Sequence, residues 1–323
     1  MSVRTLDRRS FAAALLGAGF CLPGRVDASG GEATVEVESQ ASRLNPRQLD
    51  YVPPADLKLI IDIYRRMTAP VVIDGHGPFA FVVDTGANQS VVAAEIAAQL
   101  GLTAGAPRAL NGVAGVEITP TALARIKVGS RPADDAVLQV LPAAAIGGQG
   151  MLGLDQLDGG RLTLDFRRQT LRIAPGRGGG APFGDIVVRA HRRDGQLTLV
   201  DADLAGIPLT AFLDSGAQDT IGNMALRQLA ISRYPTTPWS ATPILSVTGQ
   251  SVLAEMADLP ALRIGGLHLP NWPVAFADLH TFRMWNLVER PAILVGVDIL
   301  SRFSTVCLDF ARDEVRFRLP SSA

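Results

Sequence analysis

The stretch FVVDTGANQS, residues 81–90, ends an apolar run on a charge, Asp84, and follows it at once with Thr85, Gly86 and Ala87. A strand buried enough to use Phe81, Val82 and Val83 has no simple reason to stop on a carboxylate. The stretch AFLDSGAQDT, residues 211–220, repeats the arrangement with Asp214, Ser215, Gly216 and Ala217. Both fit Asp-[Ser/Thr]-Gly-Ala-x-x-[Ser/Thr], a pattern that average residue usage yields in roughly one window in 10⁵. One explanation has to serve both.

The surroundings repeat as well. VVIDGHGPFAFVVDTGANQSVV reads as a strand, a Gly/Pro turn and a second strand ending at Asp84, and VDADLAGIPLTAFLDSGAQDTI as a strand, a Gly-Ile-Pro turn and a strand ending at Asp214. Helical spacing with a terminal Gly follows in VVAAEIAAQLGL, and NMALRQLAI predicts a shorter version. Further on, Gly153, Asp155, Leu157, Asp165 and Phe166 match Gly296, Asp298, Leu300, Asp309 and Phe310. The chain is therefore a duplication, with lobes expected at 51–175 and 186–320 and a Gly/Pro-rich linker at 176–185.

The 323 residues are 47% hydrophobic and 19% charged, enough for two cores. Thirty-two Gly and 21 Pro with 6% aromatics favour many turns, and so β-rich lobes over a helix bundle. The formal net charge of −1, with basic residues scattered, offers neither a nucleic-acid groove nor a face for an anionic membrane. At the N-terminus a basic front, an apolar run from Phe11 to Leu22 and a small-residue ending at Ala28, with Val26 three positions from the cut, read as a secretory signal over 1–28. Arg8-Arg9-Ser10-Phe11 resembles the twin-arginine form. The run is too short to span a bilayer, so no stable membrane insertion is expected and the protein is placed in a periplasm or outside the cell. Residues 29–50 read as a flexible segment. Without 1–28, which holds four Arg against Asp7 and Asp27, the charge becomes −3 and Cys307 is the sole thiol, so no internal disulfide can form.

The repeated loop has a chemical use. If the lobes pair about a pseudo-twofold axis, equivalent loops meet there and the two carboxylates become neighbours. Carboxylates at about 3 Å cannot both ionise cheaply, so the pair holds one proton over a window of pH. The ionised member can deprotonate a water while the protonated one polarises a carbonyl, which suits amide hydrolysis without metal or cofactor. Hydroxyls at Thr85 and Ser215 can fix the loops, and the glycines allow close backbone approach.

These residues resemble the aspartic peptidases, specifically retropepsin-like lobes fused in tandem. Asp84-Thr85-Gly86-Ala87 looks like the retroviral motif, and Met151-Leu152-Gly153 and Leu294-Val295-Gly296 look like the family's hydrophobic-hydrophobic-Gly element. The resemblance implies an all-β bilobal fold of two β-barrel lobes, a dyad of Asp84 and Asp214, and loop support from Thr85, Gly86, Ala87, Ser215, Gly216, Ala217, Gly153 and Gly296. It also implies flap hairpins at 110–118 and 245–252, with Gly112, Val113, Gly115, Thr248 and Gly249 near their tips. An endopeptidase acting on a peptide or protein substrate follows, monomeric with pseudo-dimeric lobes. Neither flap carries Tyr, unlike the pepsin branch, and NWPVAFADLHTFRMWNLVERP, residues 271–291, has no visible counterpart in the first lobe.

Other classes compete less well. A peptide-binding protein that keeps the cleft without cleaving differs only in activity. Two-lobed sugar kinases and actin-like ATPases duplicate a related phosphate loop, but inside larger α/β domains. His76, His191, His268 and His280 form no metal spacing. Asp155 and Asp298 read as helix-start caps, Asp219 as a solvated loop acid, and Trp239, Trp272 and Trp285 as either pocket wall or core.

Overall fold

A computed structural model describes residues 14–16, 55–62, 65–112, 115–157, 160–176, 184–193, 196–199, 201–246 and 250–320. Strands make up 53% of it, against the 20–25% usual in globular proteins, and the helices are short. The fold is all-β with two retropepsin-like lobes.

Ahead of the Asp loop each lobe has a hairpin dictated by a two-residue turn. Ile73 pairs with His76 around Asp74 (φ 47°) and Gly75 (φ 83°), and Leu204 pairs with Ile207 around Ala205 (φ 52°) and Gly206 (φ 79°). Two successive positive φ angles define the turn whose twist suits an antiparallel pair. In the second lobe the turn is thus Ala205-Gly206, and Ile207-Pro208 already belongs to a strand, one step earlier than the Gly-Ile-Pro turn read from sequence.

From these hairpins run the strands that carry the two aspartates. His76–Val83 pairs in parallel with Gly150–Leu152, and Thr210–Leu213 pairs in parallel with Ala292–Val295. The Asp84 amide then donates to Leu152 O at 2.9 Å and the Asp214 amide to Val295 O at 3.0 Å, so both hydrophobic-hydrophobic-Gly elements lie beside the loops. Such strands are covered on both faces, and this is why they read as unbroken apolar runs. Val91–Ala93 and Ile221–Gly222 complete each arrangement, antiparallel to the same partner strands.

Two sequence expectations need correction here. Trp272–Phe276 pairs in parallel with Ile221–Gly222 as Arg131–Leu141 pairs with Val91–Ala93, so the strand that opens residues 271–291 does have a counterpart in the first lobe. The match was hidden because register, not residue identity, is what the two strands share. The second-lobe helix, Met224–Arg233, has ten residues and is longer than the seven of Ala94–Leu100. Asn223 explains it: its side chain accepts from Leu226 N and caps the helix, whereas Ala93 offers no cap.

The lobes meet in a six-stranded antiparallel sheet. Ala55–Lys58, Thr170–Ala174 and Arg161–Asp165 come from the first lobe, and Thr305–Asp309, Glu314–Arg318 and Ile186–Arg193 from the second. Thr163 faces Cys307 at its centre, with Arg161 opposite Asp309 and Asp165 opposite Thr305, and the approximate twofold axis passes through that central pair. Cys307 is buried there as a free thiol. Leu162, Leu164, Leu171, Ile173, Val306, Val315 and Phe317 are all 0–1% exposed, so this sheet holds a shared core between the lobes. Roughly 1.5–3 kcal/mol per buried aliphatic or aromatic side chain makes the interface a major source of stability.

Residues 177–183 of the expected linker, 29–50, and all of 1–28 except Ala14–Leu16 lie outside the described residues. Ala14–Leu16 forms a strand parallel to Ile244–Ser246. No helix among the described residues is long and apolar enough to cross a membrane.

Candidate active site

Asp84 and Asp214 end their strands because the loops turn inward on them. Asp84 Oδ1 accepts the amides of Gly86 (2.8 Å) and Ala87 (3.0 Å), and Asp214 Oδ1 those of Gly216 (2.9 Å) and Ala217 (3.0 Å). Two backbone donors per carboxylate offset part of the cost of burial. Apart from the opposite carboxyl, the other oxygen of each, Oδ2, meets no donor among the described residues and is buried.

Glycine is required across the axis as well as within each loop. A Cβ on Gly86 would sit 2.4 Å from Asp214 Cγ, and one on Gly216 would sit 2.4 Å from Asp84 Cγ. Each carboxylate therefore packs against the backbone of the opposite lobe. Gly153 and Gly296 are constrained similarly, since a Cβ there would meet the backbone of Gln89 or Asp219 at 2.6 Å.

The hydroxyls lock the loops to each other. Thr85 Oγ1 donates to Leu213 O at 2.8 Å and accepts Ser215 N at 3.0 Å, while Ser215 Oγ donates to Val83 O at 2.7 Å and accepts Thr85 N at 3.1 Å. Ala87 O and Ala217 O accept the amides of Leu154 and Val297, seating each loop on its short helix. All ten residues singled out as dyad or loop support thus converge on one place.

Burial and the charge of Asp214 together push Asp84 well above the usual carboxylate range. Burial raises Asp214 too, held back by a hydrogen bond with Asp84, by the Ala217 and Gly216 amides and by the charge of Arg66. The two carboxyls titrate as a pair that retains a proton where isolated acids have lost theirs. Arg66 itself gave no sign in the sequence. It is fully buried, with Nη1 and Nη2 donating to Ile146 O and Gly147 O and Nε to Asp62 Oδ2. It props the turn ahead of Gly150–Leu152 and adds positive charge near the dyad.

Asp155 and Asp298 open short helices as expected, yet they do not cap them. Asp155 Oδ1 accepts Ser90 Oγ and Asp298 Oδ1 accepts Thr220 Oγ1, each at 2.7 Å, and those hydroxyls accept Gly153 N (3.0 Å) and Gly296 N (3.1 Å). The final Ser/Thr of the repeated motif is thereby explained: it ties the Asp loop to the Gly element. Trp272 Nε1 also donates to Asp298 Oδ2 at 3.0 Å and Arg302 lies 4.8 Å above its ring, whereas Trp285 is core, stacked 3.7 Å from Phe212. Trp239 packs 5.3 Å from Phe276, under Arg227.

Each Asp loop is followed in its lobe by a hairpin, Thr103–Asn111 with Val116–Val128 and Ser240–Ser246 with Ser251–Leu259. Gly112 N donates to Gly115 O at 2.8 Å at the first tip, and Gln250 Nε2 donates to Glu117 Oε1, joining the hairpins across the lobes. Val113, Thr248 and Gly249 lie outside the described residues. Among the described residues no His, Cys, Asp and Glu cluster could hold a metal.

Residues 69–158 match the family model described as "gag-polyprotein putative aspartyl protease", and residues 200–299 match the one described as "Aspartyl protease". Together they span more than half of the chain, one per lobe. No curated protein matches it.

Proposed function

Because the chain belongs to the aspartyl protease family, with two such domains in tandem, we propose that it is an aspartic endopeptidase whose dyad is Asp84 and Asp214. The observation that carries this reading is the reciprocal closure of the two Asp loops, each carboxylate held by its own loop amides and packed on the opposite lobe's glycine.

The chemistry follows from the shared proton. The ionised carboxyl takes a proton from a water lying against the pair as its oxygen attacks the peptide carbonyl carbon, and the protonated carboxyl donates to the carbonyl oxygen. The tetrahedral intermediate then breaks its C–N bond, with a dyad proton passing to the leaving nitrogen, and an acid and an amine leave. Backbone amides on Oδ1 hold each carboxyl in the plane that presents Oδ2, so little reorganisation is needed during the reaction. The apolar leader and small-residue ending support a place of action outside the cytoplasm, with a mature chain beginning near Ser29.

A peptide-library digest across pH 3–8, with an Asp84→Asn control, tests the assignment. A bell-shaped rate that vanishes in the control is expected, with an optimum only mildly acidic. Binding without cleavage at any pH would leave a peptide-binding protein that keeps the cleft.

A further inference from the structure

Arg66 breaks the symmetry of the centre. Thr68 pairs with Val82, Ala69 with Phe81 and Pro70 with Ala80, and the same register carried two residues past Thr68 sets Arg66 opposite Asp84. Residues opposite each other in an antiparallel ladder share a face. In the second lobe Thr198 pairs with Phe212 and Leu199 with Ala211, so the position opposite Asp214 is that of Gln196. The first lobe thus brings a cation to a place where the second has a neutral residue.

The charge is not needed to hold the turn that Arg66 touches. Gly147 and Arg290 each lie six residues ahead of their lobe's Gly element. Gly147 O accepts Arg66 Nη2 at 3.1 Å, while Arg290 O accepts the neutral amide of Asn223 at 2.7 Å. Asp62 balances part of the charge, lying 2.8 Å from both Nε and Nη2. Its side chain is 14% exposed and that of Arg66 0%, so water screens the anion more than the cation. The excess is felt at Asp214, whose carboxyl Arg66 helps to hold down against burial. Other charged groups nearby are engaged elsewhere: Asp155 and Asp298 hold Ser90 and Thr220, and Arg65 is exposed. Asp219, half-buried rather than the solvated acid read from sequence, lines a cavity of about 330 Å³ with Arg65, Met256 and Trp272, and burial and the charge of Asp298 raise it to about 6.

A dry pair of carboxyls resists carrying any charge, yet the reaction needs one carboxylate. Resting on the protease reading above, we propose that Arg66 is a positioning residue that keeps the dyad singly ionised, supplying a fixed counter-charge from one lobe without touching the peptide. The two tasks of the guanidinium separate by chemistry. Ile146 O and Gly147 O need only donors, whereas the dyad needs the charge itself.

NMR of the chain carrying carbon-13 at Asp Cγ follows the ionisations of the dyad without catalysis, with Asp84→Asn and Asp214→Asn spectra identifying the pair. Arg66→Gln, which copies the second lobe, removes a positive charge, so the pair should hold its protons more tightly and ionise about one pH unit higher, a tenfold change in proton affinity. Asp62→Asn unmasks Arg66 and should move the ionisations the opposite way. Arg66→Lys keeps the charge and should leave them close to wild type. The bell of kcat/KM against pH should move in the same directions, whereas a residue that only braces the turn would lower kcat/KM with the bell fixed in place. Should Arg66→Gln fail to fold, Asp62→Asn decides alone. Peptide cleavage with ionisations that stay fixed in these variants would overturn the proposal and leave the protease reading standing. Ionisations that move as expected, with no cleavage at any pH, would overturn the protease reading and leave the action of Arg66 on the pair.

Discussion

The two lobes agree where carboxylates are held and disagree where walls are built. Around Asp84 and Asp214 they match bond for bond: two loop amides, one hydroxyl lock, one glycine against the opposite carboxyl, one Ser/Thr tied to an aspartate of the next helix. Away from that centre the second lobe adds Trp272 on Asp298, Trp285 stacked on Phe212, and an asparagine where the first has Ala93. Asn223 caps its helix and also donates to Leu287 O (2.6 Å) and Arg290 O (2.7 Å) while accepting Ala292 N (3.1 Å). On the proposed mechanism a shared proton needs two equivalent partners, which fits a match confined to the residues around the two carboxylates.

The sharpest way to break that equivalence is to remove one carboxylate. Asp84→Asn and Asp214→Asn should each lower turnover by about 10² to 10⁴-fold, and to similar extents, because neither acid alone can serve as base and acid. Mixing the two variants should restore nothing, since each chain supplies both lobes. Steady-state rates on the best library peptide check this, and substantial activity in either variant would show that the lobes are not equivalent.

Outside the dyad the lobes should respond unequally. Asn223→Ala loses a cap worth about 1 kcal/mol and strands two carbonyls at about 1–3 kcal/mol each, so urea unfolding should show a loss of roughly 3–7 kcal/mol. The first lobe has no side chain whose removal should cost its helix as much at that position.

At the hydroxyl lock a smaller and symmetric effect is expected. Thr85→Val and Ser215→Ala each leave a buried carbonyl of the other lobe without its donor, costing about 1–3 kcal/mol. The double variant should cost less than the sum, because both side chains serve one network. Strict additivity in a double-mutant cycle would mean the lobes are locked elsewhere.

The mildest expectation concerns pH and stability. A carboxyl raised on folding stabilises below its unfolded pKa, and that contribution is lost as pH rises through the folded value. Asp84 is such a group. Asp84→Asn should therefore melt progressively higher than wild type as pH goes from 4 to 8, a cost of function carried in the native site. Parallel melting curves across that range would show that the dyad is not desolvated.

Sequence alone determined what local chemistry and repetition can carry: the duplicated Asp loop, the hydroxyl and glycine after it, the Gly element downstream, and strands rather than helices. Each of these is set within a few residues by turn geometry and hydrogen-bonding groups, so it leaves a pattern that can be matched between halves. Tertiary structure alone decided which groups meet across the axis and how far from water they lie. Arg66 sits next to Arg65 in the chain, yet one is fully buried beside the dyad and the other exposed at a cavity rim. Asp219 reads as a loop acid until Arg65, Met256 and Trp272 close around it, and Asp298 reads as a cap until Thr220 and Trp272 reach it. Burial, pKa and partnership depend on the sum of distant neighbours, and no single stretch of sequence contains that sum.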